Sequence, residues 1–115
     1  MRIVLILALL VTFPAGAATP STCPGTDDYS RALCSYQRRQ FAQAETGFRA
    51  IADGNRSQPE TMKARYFIGR TLMKTGRFAE AADVFIRIYK DDPPFYRTWN
   101  CDFLLGECRK ALGKG

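Results

Sequence analysis

The sequence predicts an all-α protein in which antiparallel helical hairpins stack one after another, and three observations indicate this class. Apolar and small residues recur at an interval of 37 residues, apolar residues within each unit follow helical spacing, and glycine or proline marks the ends of the segments. Units of this size stack because a single unit cannot bury its own apolar face. We therefore expect a short stack of about two and a half repeats.

The interval of 37 residues is kept at six positions. The recurring pairs are Phe41 and Phe78, Ala44 and Ala81, Phe48 and Phe85, Ile51 and Ile88, Ile68 and Leu105, and Gly69 and Gly106. Ala32 precedes Phe41 at the place that Gly69 holds before Phe78. Within a unit the apolar residues advance by three or four positions, which places them on one side of a helix.

The boundaries of the second unit are marked by residues that favour helix ends. Ser57 or Gln58 can cap its first helix, Pro59 suits the first turn, and Glu60 lies near the positive end of the helix dipole. Gly76 can adopt the left-handed conformation that ends a helix. The complete set of expected helices covers about 27–38, 41–53, 59–75, 78–91 and 96–112.

The second unit resembles the tetratricopeptide repeat over roughly residues 62–93. The residues that carry the resemblance are Gly69, Leu72, Gly76, Phe78, Ala81, Phe85 and Pro93. Gly69 and Ala81 are small, which suits the place where the two helices of a hairpin cross most closely. The resemblance therefore implies a short solenoid of hairpins that share this crossing.

The other two units match the pattern less completely. The first has Ser35 where an apolar residue is usual, and residues 53–58 lengthen its connection by three. The third keeps Trp99, ends at Gly113 and resembles the solitary helix that closes such an array. The alternative is a generic bundle of four or five helices, in which the recurrence is coincidental and no open groove is expected.

The N-terminal segment has the features of a bacterial signal peptide. Arg2 supplies a positive charge, an apolar run covers 3–13, and Pro14 ends that run. Small residues follow as an A-x-A site, so we expect cleavage before Ala18. The expected organisation is a signal peptide at 1–17, a leader at 18–26 and a helical domain at 27–115. The predicted location is the periplasm or the outside of the cell.

Two other interpretations of this segment are weaker. Its apolar run of about 11 residues is shorter than the roughly 20 that a membrane-spanning helix needs. A lipoprotein would carry an apolar residue shortly before Cys23, where the sequence has Pro20, Ser21 and Thr22. No later segment is apolar enough to span a bilayer, so no transmembrane segment is expected after cleavage.

The chain is basic but its charge is scattered. Its 115 residues include 17 Lys and Arg and 11 Asp and Glu, which gives a formal net charge of +6. Without Arg2 the exported chain carries about +5. Scattered positive charge on an exported chain favours acidic proteins, anionic envelope polymers or lipid head groups over nucleic acid as partners.

Four cysteines in a small exported domain favour disulfides over free thiols. Cys23 lies in a leader that can fold back along the first helix, so we expect it to pair with Cys34. Cys101 and Cys108 would lie about 10 Å apart along an unbroken helix, which is too far for a disulfide. They can pair only if the helix begins after Cys101, a late start that Asn100 or Asp102 could cap.

The sequence offers little for catalysis. It contains no His, the commonest general base, and no acidic pair, phosphate-binding loop or metal-ligand cluster stands out. No C-x-x-C pair is present for redox exchange. We therefore expect a protein that is not an enzyme, with no catalytic residue, no metal site and no cofactor.

The resemblance implies a concave groove lined by the first helix of each hairpin. The central helix would contribute Lys63, Tyr66, Arg70, Met73 and Lys74. The neighbouring helices would add Tyr29, Leu33, Tyr36 and Gln37 from one side, and Asn100, Phe103, Glu107 and Lys110 from the other. Three bases among tyrosines favour an acidic or C-terminal peptide segment as the ligand.

These expectations leave two functions open. The chain is either a small adaptor that holds a protein or peptide in the envelope, or a structural subunit whose hairpin ends stack on another protein. A secreted effector or inhibitor is a third, less supported function. Whether the isolated chain is a monomer distinguishes the first two.

Overall fold

The structure, a computed structural model, describes residues 23–113. This range forms six α-helices and contains no strand. The helices are α1 (Asp28–Gln37), α2 (Phe41–Asp53), α3 (Gln58–Lys74), α4 (Phe78–Asp91), α5 (Pro93–Thr98) and α6 (Cys101–Ala111). The predicted all-α class is therefore confirmed, whereas the signal peptide, its cleavage before Ala18 and the first part of the leader lie outside the described residues.

Side-chain caps fix the starts of α1 and α3. The carboxylate of Asp27 accepts a hydrogen bond from the backbone N–H of Ser30 at 2.7 Å. The hydroxyl of Ser57 accepts from the N–H of Glu60, and the Glu60 carboxylate accepts from the N–H of Ser57, both at 3.3 Å. Because such caps satisfy otherwise unpaired N–H groups, α3 begins where Pro59 and its neighbours predicted.

The expected helix at about 96–112 is wrong in its extent, because this region forms two helices. The carboxylate of Asp92 accepts from the N–H of Phe95 at 3.1 Å, so α5 begins at Pro93. Asn100 then adopts a left-handed conformation, with φ of 55°, and separates α5 from α6. Asparagine tolerates this conformation better than most residues, which explains the break.

The interval of 37 residues is visible in the backbone. Arg39, Gly76 and Gly113 have φ of 63°, 79° and 76°, and each follows the end of a helix. The return helices α2 and α4 then begin at Phe41 and Phe78, the same interval apart. The three turns therefore have equivalent geometry, although the first carries an arginine where the other two carry glycine.

The core is built from the repeated positions. Ala44 and Ala81, Phe48 and Phe85, and Ile51 and Ile88 are each no more than 1% exposed. Burying a phenylalanine or isoleucine side chain contributes about 1.5–3 kcal/mol, so these residues supply much of the stability of each unit. The apolar stripes that the sequence predicted on α2 and α4 are confirmed.

Helices that follow one another along the chain pack against each other, and α4 packs against both α5 and α6. In the first hairpin, the rings of Tyr36 and Phe41 are 5.7 Å apart near the turn, and Tyr29 meets Phe48 at 5.9 Å further from it. Such pairing of an early residue with a late one shows that α1 and α2 are antiparallel.

The second hairpin is antiparallel as well. The guanidinium of Arg65 on α3 pairs with the carboxylate of Asp91 on α4 at 2.6 Å. One turn further along α3, the ring of Phe85 lies over Gly69, where an added Cβ would be 2.6 Å from the ring. Gly69 therefore lies at a close helix crossing, as its small size predicted.

Cys23 and Cys34 form the predicted disulfide, with their Cα atoms 5.8 Å apart, so the leader folds back on α1. Cys101 and Cys108 are buried free thiols. Since α6 begins at Cys101 itself, both thiols belong to one helix and lie about 10 Å apart along its axis, which prevents pairing. Among the described residues, no helix has both the length and the apolar character required to cross a membrane.

Candidate functional site

The central helix α3 carries two kinds of basic residue. Arg65 faces α4 and is paired with Asp91. Lys63, Arg70 and Lys74, the predicted basic stripe, form no ion pair with any described residue of the chain. We call the surface around these three residues the α3 surface. Charges that the chain itself leaves unpaired can interact with a partner.

At one end of the α3 surface, Lys63 lies over an aromatic ring of α1. Its ammonium nitrogen is 4.9 Å from the centroid of the Tyr29 ring, within the range of a cation–π interaction. The same residue lines a cavity together with Asp27, Asp28 and Glu60. Lys63 is therefore close to the chain's own carboxylates, which partly offset the positive potential around it.

Arg70, at the middle of the α3 surface, is held by tyrosines. Its guanidinium donates to the hydroxyl of Tyr66 at 2.8 Å and lies 5.6 Å from the centroid of that ring. Burial lowers the pKa of Arg70, but the hydroxyls of Tyr66 and Tyr36 raise it by more, so the net pKa is raised. The guanidinium is therefore charged, oriented and free to donate further hydrogen bonds.

Tyr36 contributes a polar group of its own beside this arginine. Its hydroxyl is buried and has no hydrogen-bond partner among residues 23–113. Its ring packs against Phe41 and Phe67, with centroids 5.7 and 5.5 Å apart. An unpaired buried hydroxyl is costly to the free protein, and because this one is closed off from solvent it is not itself a contact for a ligand.

The far end of the α3 surface opens into a cavity of about 330 Å³ between α3, α4 and α6. Its lining residues are Arg70, Met73, Lys74, Phe78, Phe103, Leu104 and Glu107. Phe103 is 57% exposed, which is unusual for so large an apolar side chain in a small protein. The cavity thus combines two unpaired bases with apolar walls.

The predicted site residues are only partly brought together. Arg70, Met73, Lys74 and Phe103 line one cavity. Tyr66 packs against the indole of Trp99 at 4.9 Å and so connects α3 to the segment before α6. The other predicted residues lie outside this cavity: Tyr29, Leu33, Tyr36, Gln37, Lys63, Asn100 and Lys110.

Lys110 lies apart from the cavity. It is exposed and forms a weak ion pair with Glu107, 3.7 Å away. Glu107 does line the cavity and reduces its positive charge. The net charge of the cavity therefore depends on Glu107 as well as on Arg70 and Lys74.

Phe78 and Leu104 line the cavity but were not assigned to the site from the sequence. Phe78 is the first residue of α4, and the tight turn at Gly76 places its side chain beside the end of α3. Leu104 lies on the side of α6 that faces α3. The signal for Phe78 was its position two residues after the helix-ending Gly76, whereas the position of Leu104 depends on how α6 packs.

The site holds no group that points to covalent chemistry. Among the described residues, no set of three or more His, Cys, Asp or Glu side chains is placed to hold a metal ion. Burial raises the pKa of the Cys101 thiol to about 11, which makes this cysteine a poor nucleophile at neutral pH. What the arrangement offers a ligand is positive charge without an ion-pair partner among residues 23–113, beside apolar walls.

Comparison of the chain with protein-family models, with curated proteins and with solved structures found no match.

Proposed function

We propose that this chain is a protein-binding module of the bacterial envelope, without catalytic activity, which holds an acidic or C-terminal peptide segment on the α3 surface. The observation that carries the proposal is the environment of the Arg70 guanidinium. Its guanidinium is oriented by Tyr66, has no carboxylate partner among residues 23–113, and lies at the edge of a cavity with apolar walls. A carboxylate ligand would complete the hydrogen bonds of this group.

The architecture we propose for this module is a short tetratricopeptide-like stack. The recurrence of left-handed turns at Arg39, Gly76 and Gly113 supports it, as does the order in which consecutive helices pack. A stack of this kind leaves one side of α3 uncovered between α1 and α6. A closed bundle would cover that side, and the unpaired bases Arg70 and Lys74 would then be buried without partners.

The aromatic residues around the α3 surface make it rigid. Tyr66 packs edge-on against Phe67, Phe85 and Trp99, with centroids 5.0, 6.5 and 4.9 Å apart. Phe95 stacks on Trp99 at 4.8 Å. A ligand that docks here meets groups already held in place, so little conformational entropy is lost on binding.

Export is part of the proposal. The disulfide between Cys23 and Cys34 supports an oxidising compartment such as the periplasm or the extracellular space, because cytosolic thiols are kept reduced. The signal peptide at 1–17 remains a prediction from the sequence. Intact-mass measurement of the exported protein tests it, since cleavage before Ala18 gives one defined mass.

The ligand class is tested by comparing peptides that differ only in charge. We propose fluorescence anisotropy with three labelled peptides of equal length and apolar content, one acidic, one neutral and one basic, each with a free C-terminal carboxylate. We expect the acidic peptide to bind most tightly and the basic peptide most weakly. Equal affinity for all three would contradict recognition by the unpaired bases.

A further inference from the structure

A second surface lies on the opposite side of α6, between α4 and α6. We call it the end groove, and its volume is about 470 Å³. It is lined by Ile86, Tyr89, Lys90, Tyr96, Asp102, Leu105 and Arg109, and the hydroxyl of Tyr96 donates to Asp102 at 3.0 Å. Tyr89 is 54% exposed, which leaves a large aromatic side chain open to solvent.

The end groove has an equivalent in the preceding unit. A cavity of about 140 Å³ lies between α2, α3 and α4. The residues that α2 and α3 contribute to it are Arg49, Ala52, Asp53, Arg65 and Ile68. Each of them precedes a residue of the end groove by 37 positions: Ile86, Tyr89, Lys90, Asp102 and Leu105. The two surfaces are therefore the same place in successive repeats.

The end groove and the cavity of the preceding unit differ in whether a helix covers them. In the preceding unit α4 packs over the surface and contributes Val84 and Arg87 to its wall. No helix of residues 23–113 occupies the corresponding position over the end groove. The glycines show the same difference: a Cβ on Gly69 would collide with the Phe85 ring at 2.6 Å, whereas a Cβ on Gly106 would have no atom within 4 Å.

We infer that the end groove binds an amphipathic helix of a partner protein, packed on α4 and α6 as α4 packs on α2 and α3. Its apolar side would cover Ile86, Tyr89 and Leu105. Because Gly106 has the position of Gly69, the incoming helix would place an aromatic side chain over Gly106, as Phe85 does over Gly69.

The charged residues that line the end groove predict where the partner helix carries its own charges. In the preceding unit, Arg87 of α4 lines the cavity with Asp53, and Asp91 of α4 pairs with Arg65 at 2.6 Å. At the equivalent positions of the end groove the signs are reversed, since Lys90 replaces Asp53 and Asp102 replaces Arg65. The partner helix should therefore carry an acidic residue two positions after its aromatic and a basic residue six positions after it.

This charge order disfavours a second copy of the chain as the occupant. In α4, a basic residue stands two positions after Phe85 and an acidic residue six positions after it, the reverse of what the groove favours. In α2, the corresponding positions after Phe48 are Ala50 and Gly54, which carry no charge. No described helix has the required order, so the charges point to a helix from a different protein.

The experiment uses the sequence of α4 as a probe. A labelled peptide of residues 77–92 with Arg87→Glu and Asp91→Lys is compared with the unmodified peptide, and binding to the folded chain is measured by fluorescence anisotropy. We expect the modified peptide to bind about tenfold more tightly, which corresponds to about 1.4 kcal/mol. Equal affinities, or no binding of either peptide, would overturn the proposal.

Variants of the chain locate the binding. Gly106→Leu fills the space that the aromatic residue would occupy, and Ala111→Leu adds the same bulk on α6 outside the groove. We expect Gly106→Leu to abolish binding of the modified peptide and Ala111→Leu to leave it unchanged. Tyr89→Glu, which alters an exposed side chain, provides a second test should Gly106→Leu reduce folding.

Two outcomes would refute this location. Retention of full affinity by both Gly106→Leu and Tyr89→Glu would place the peptide elsewhere. Concentration-dependent dimerisation of the parent chain that is lost in Gly106→Leu would identify a second copy as the occupant instead of a partner helix. Because these variants do not alter the α3 surface, the outcome is independent of the function proposed for it.

Discussion

The ring of Phe85 lies directly over Gly69, so that a Cβ added to this glycine would be 2.6 Å from the ring. Phe85 is completely buried, so close packing around the ring resists its displacement. Gly106 stands at the equivalent position of the next unit, where a Cβ would meet no atom within 4 Å. The two glycines occupy the same place in the repeat, and only one of them is required for packing.

For Gly69 and Gly106 we predict that substitution by alanine has opposite effects on the free energy of unfolding. We expect Gly69→Ala to lower the free energy of unfolding by about 1–3 kcal/mol, because the methyl group overpacks the contact with Phe85. Gly106→Ala should raise it by up to about 1 kcal/mol, because alanine favours a helix more than glycine does. Urea denaturation followed by circular dichroism measures both. A Gly69→Ala variant as stable as Gly106→Ala would show that the crossing is looser than described.

The disulfide between Cys23 and Cys34 ties the leader to α1. Removing it by Cys23→Ser with Cys34→Ser should lower the free energy of unfolding by roughly 2–3 kcal/mol, the value expected for a short closed loop. The parent protein under reducing conditions should lose a similar amount. If the double variant and the oxidised parent denature at the same urea concentration, the disulfide does not stabilise this fold.

Tyr96 makes stability depend on pH at the alkaline end. Burial, and then the hydrogen bond that its hydroxyl donates to Asp102 at 3.0 Å, raise the pKa of Tyr96 from the ordinary value of 10.0 for a tyrosine to about 12. A raised pKa favours the protonated form in the folded state. The resulting stability is fully present below pH 10 and is lost as the pH rises from about 10 to about 12.

We therefore expect the stability advantage of the parent over Tyr96→Phe to fall by about 2 kcal/mol across this range. Burial also raises the pKa of Cys101 to about 11, but that thiol is present in both proteins and cancels in the difference. Tyr89→Phe, which removes an exposed hydroxyl, is the control. An advantage that stays constant between pH 10 and pH 12 would exclude this role for Tyr96.

The return helices were predictable because their signals are local and strong. Phe41 and Phe78 begin α2 and α4 as expected, and the apolar spacing inside each helix identifies the buried side. The start of α3 was predictable from Ser57 and Pro59, since capping depends on a few adjacent residues. The pairing of Cys23 with Cys34 followed from the short distance between the leader and the first helix.

The sequence left the break at Asn100 open, since Asn100 or Asp102 could cap a late start of the last helix, but it did not decide for it. Apolar spacing continues across it, and the choice of a left-handed residue depends on how α5 and α6 pack on α4. Part of the candidate site was likewise not predictable, because it too depends on how the helices pack. Arg70 and Lys74 could be assigned from their spacing on one helix, but the wall formed by Leu104 requires the position of α6, which no local pattern specifies.

The central claim is that the unpaired bases of the α3 surface bind an acidic segment. It is tested most directly with the triple variant Lys63→Glu, Arg70→Glu and Lys74→Glu. The matched control reverses three exposed bases that line neither the α3 surface nor the end groove: Arg38, Arg87 and Arg97. Both variants change the net charge equally. Circular dichroism should show that both retain the helical fold, since none of the substituted bases forms an ion pair among residues 23–113 and surface charges contribute about 1 kcal/mol or less to stability.

The decisive measurement is the affinity for the acidic peptide, determined by fluorescence anisotropy over a series of salt concentrations. We expect the parent and the control to bind more tightly as salt falls, because screening acts over about 10 Å at 0.1 M and lengthens at lower salt. The triple variant should bind weakly throughout, with the largest loss at low salt. If the triple variant and the control have the same affinity at every salt concentration, the α3 surface is not the binding site.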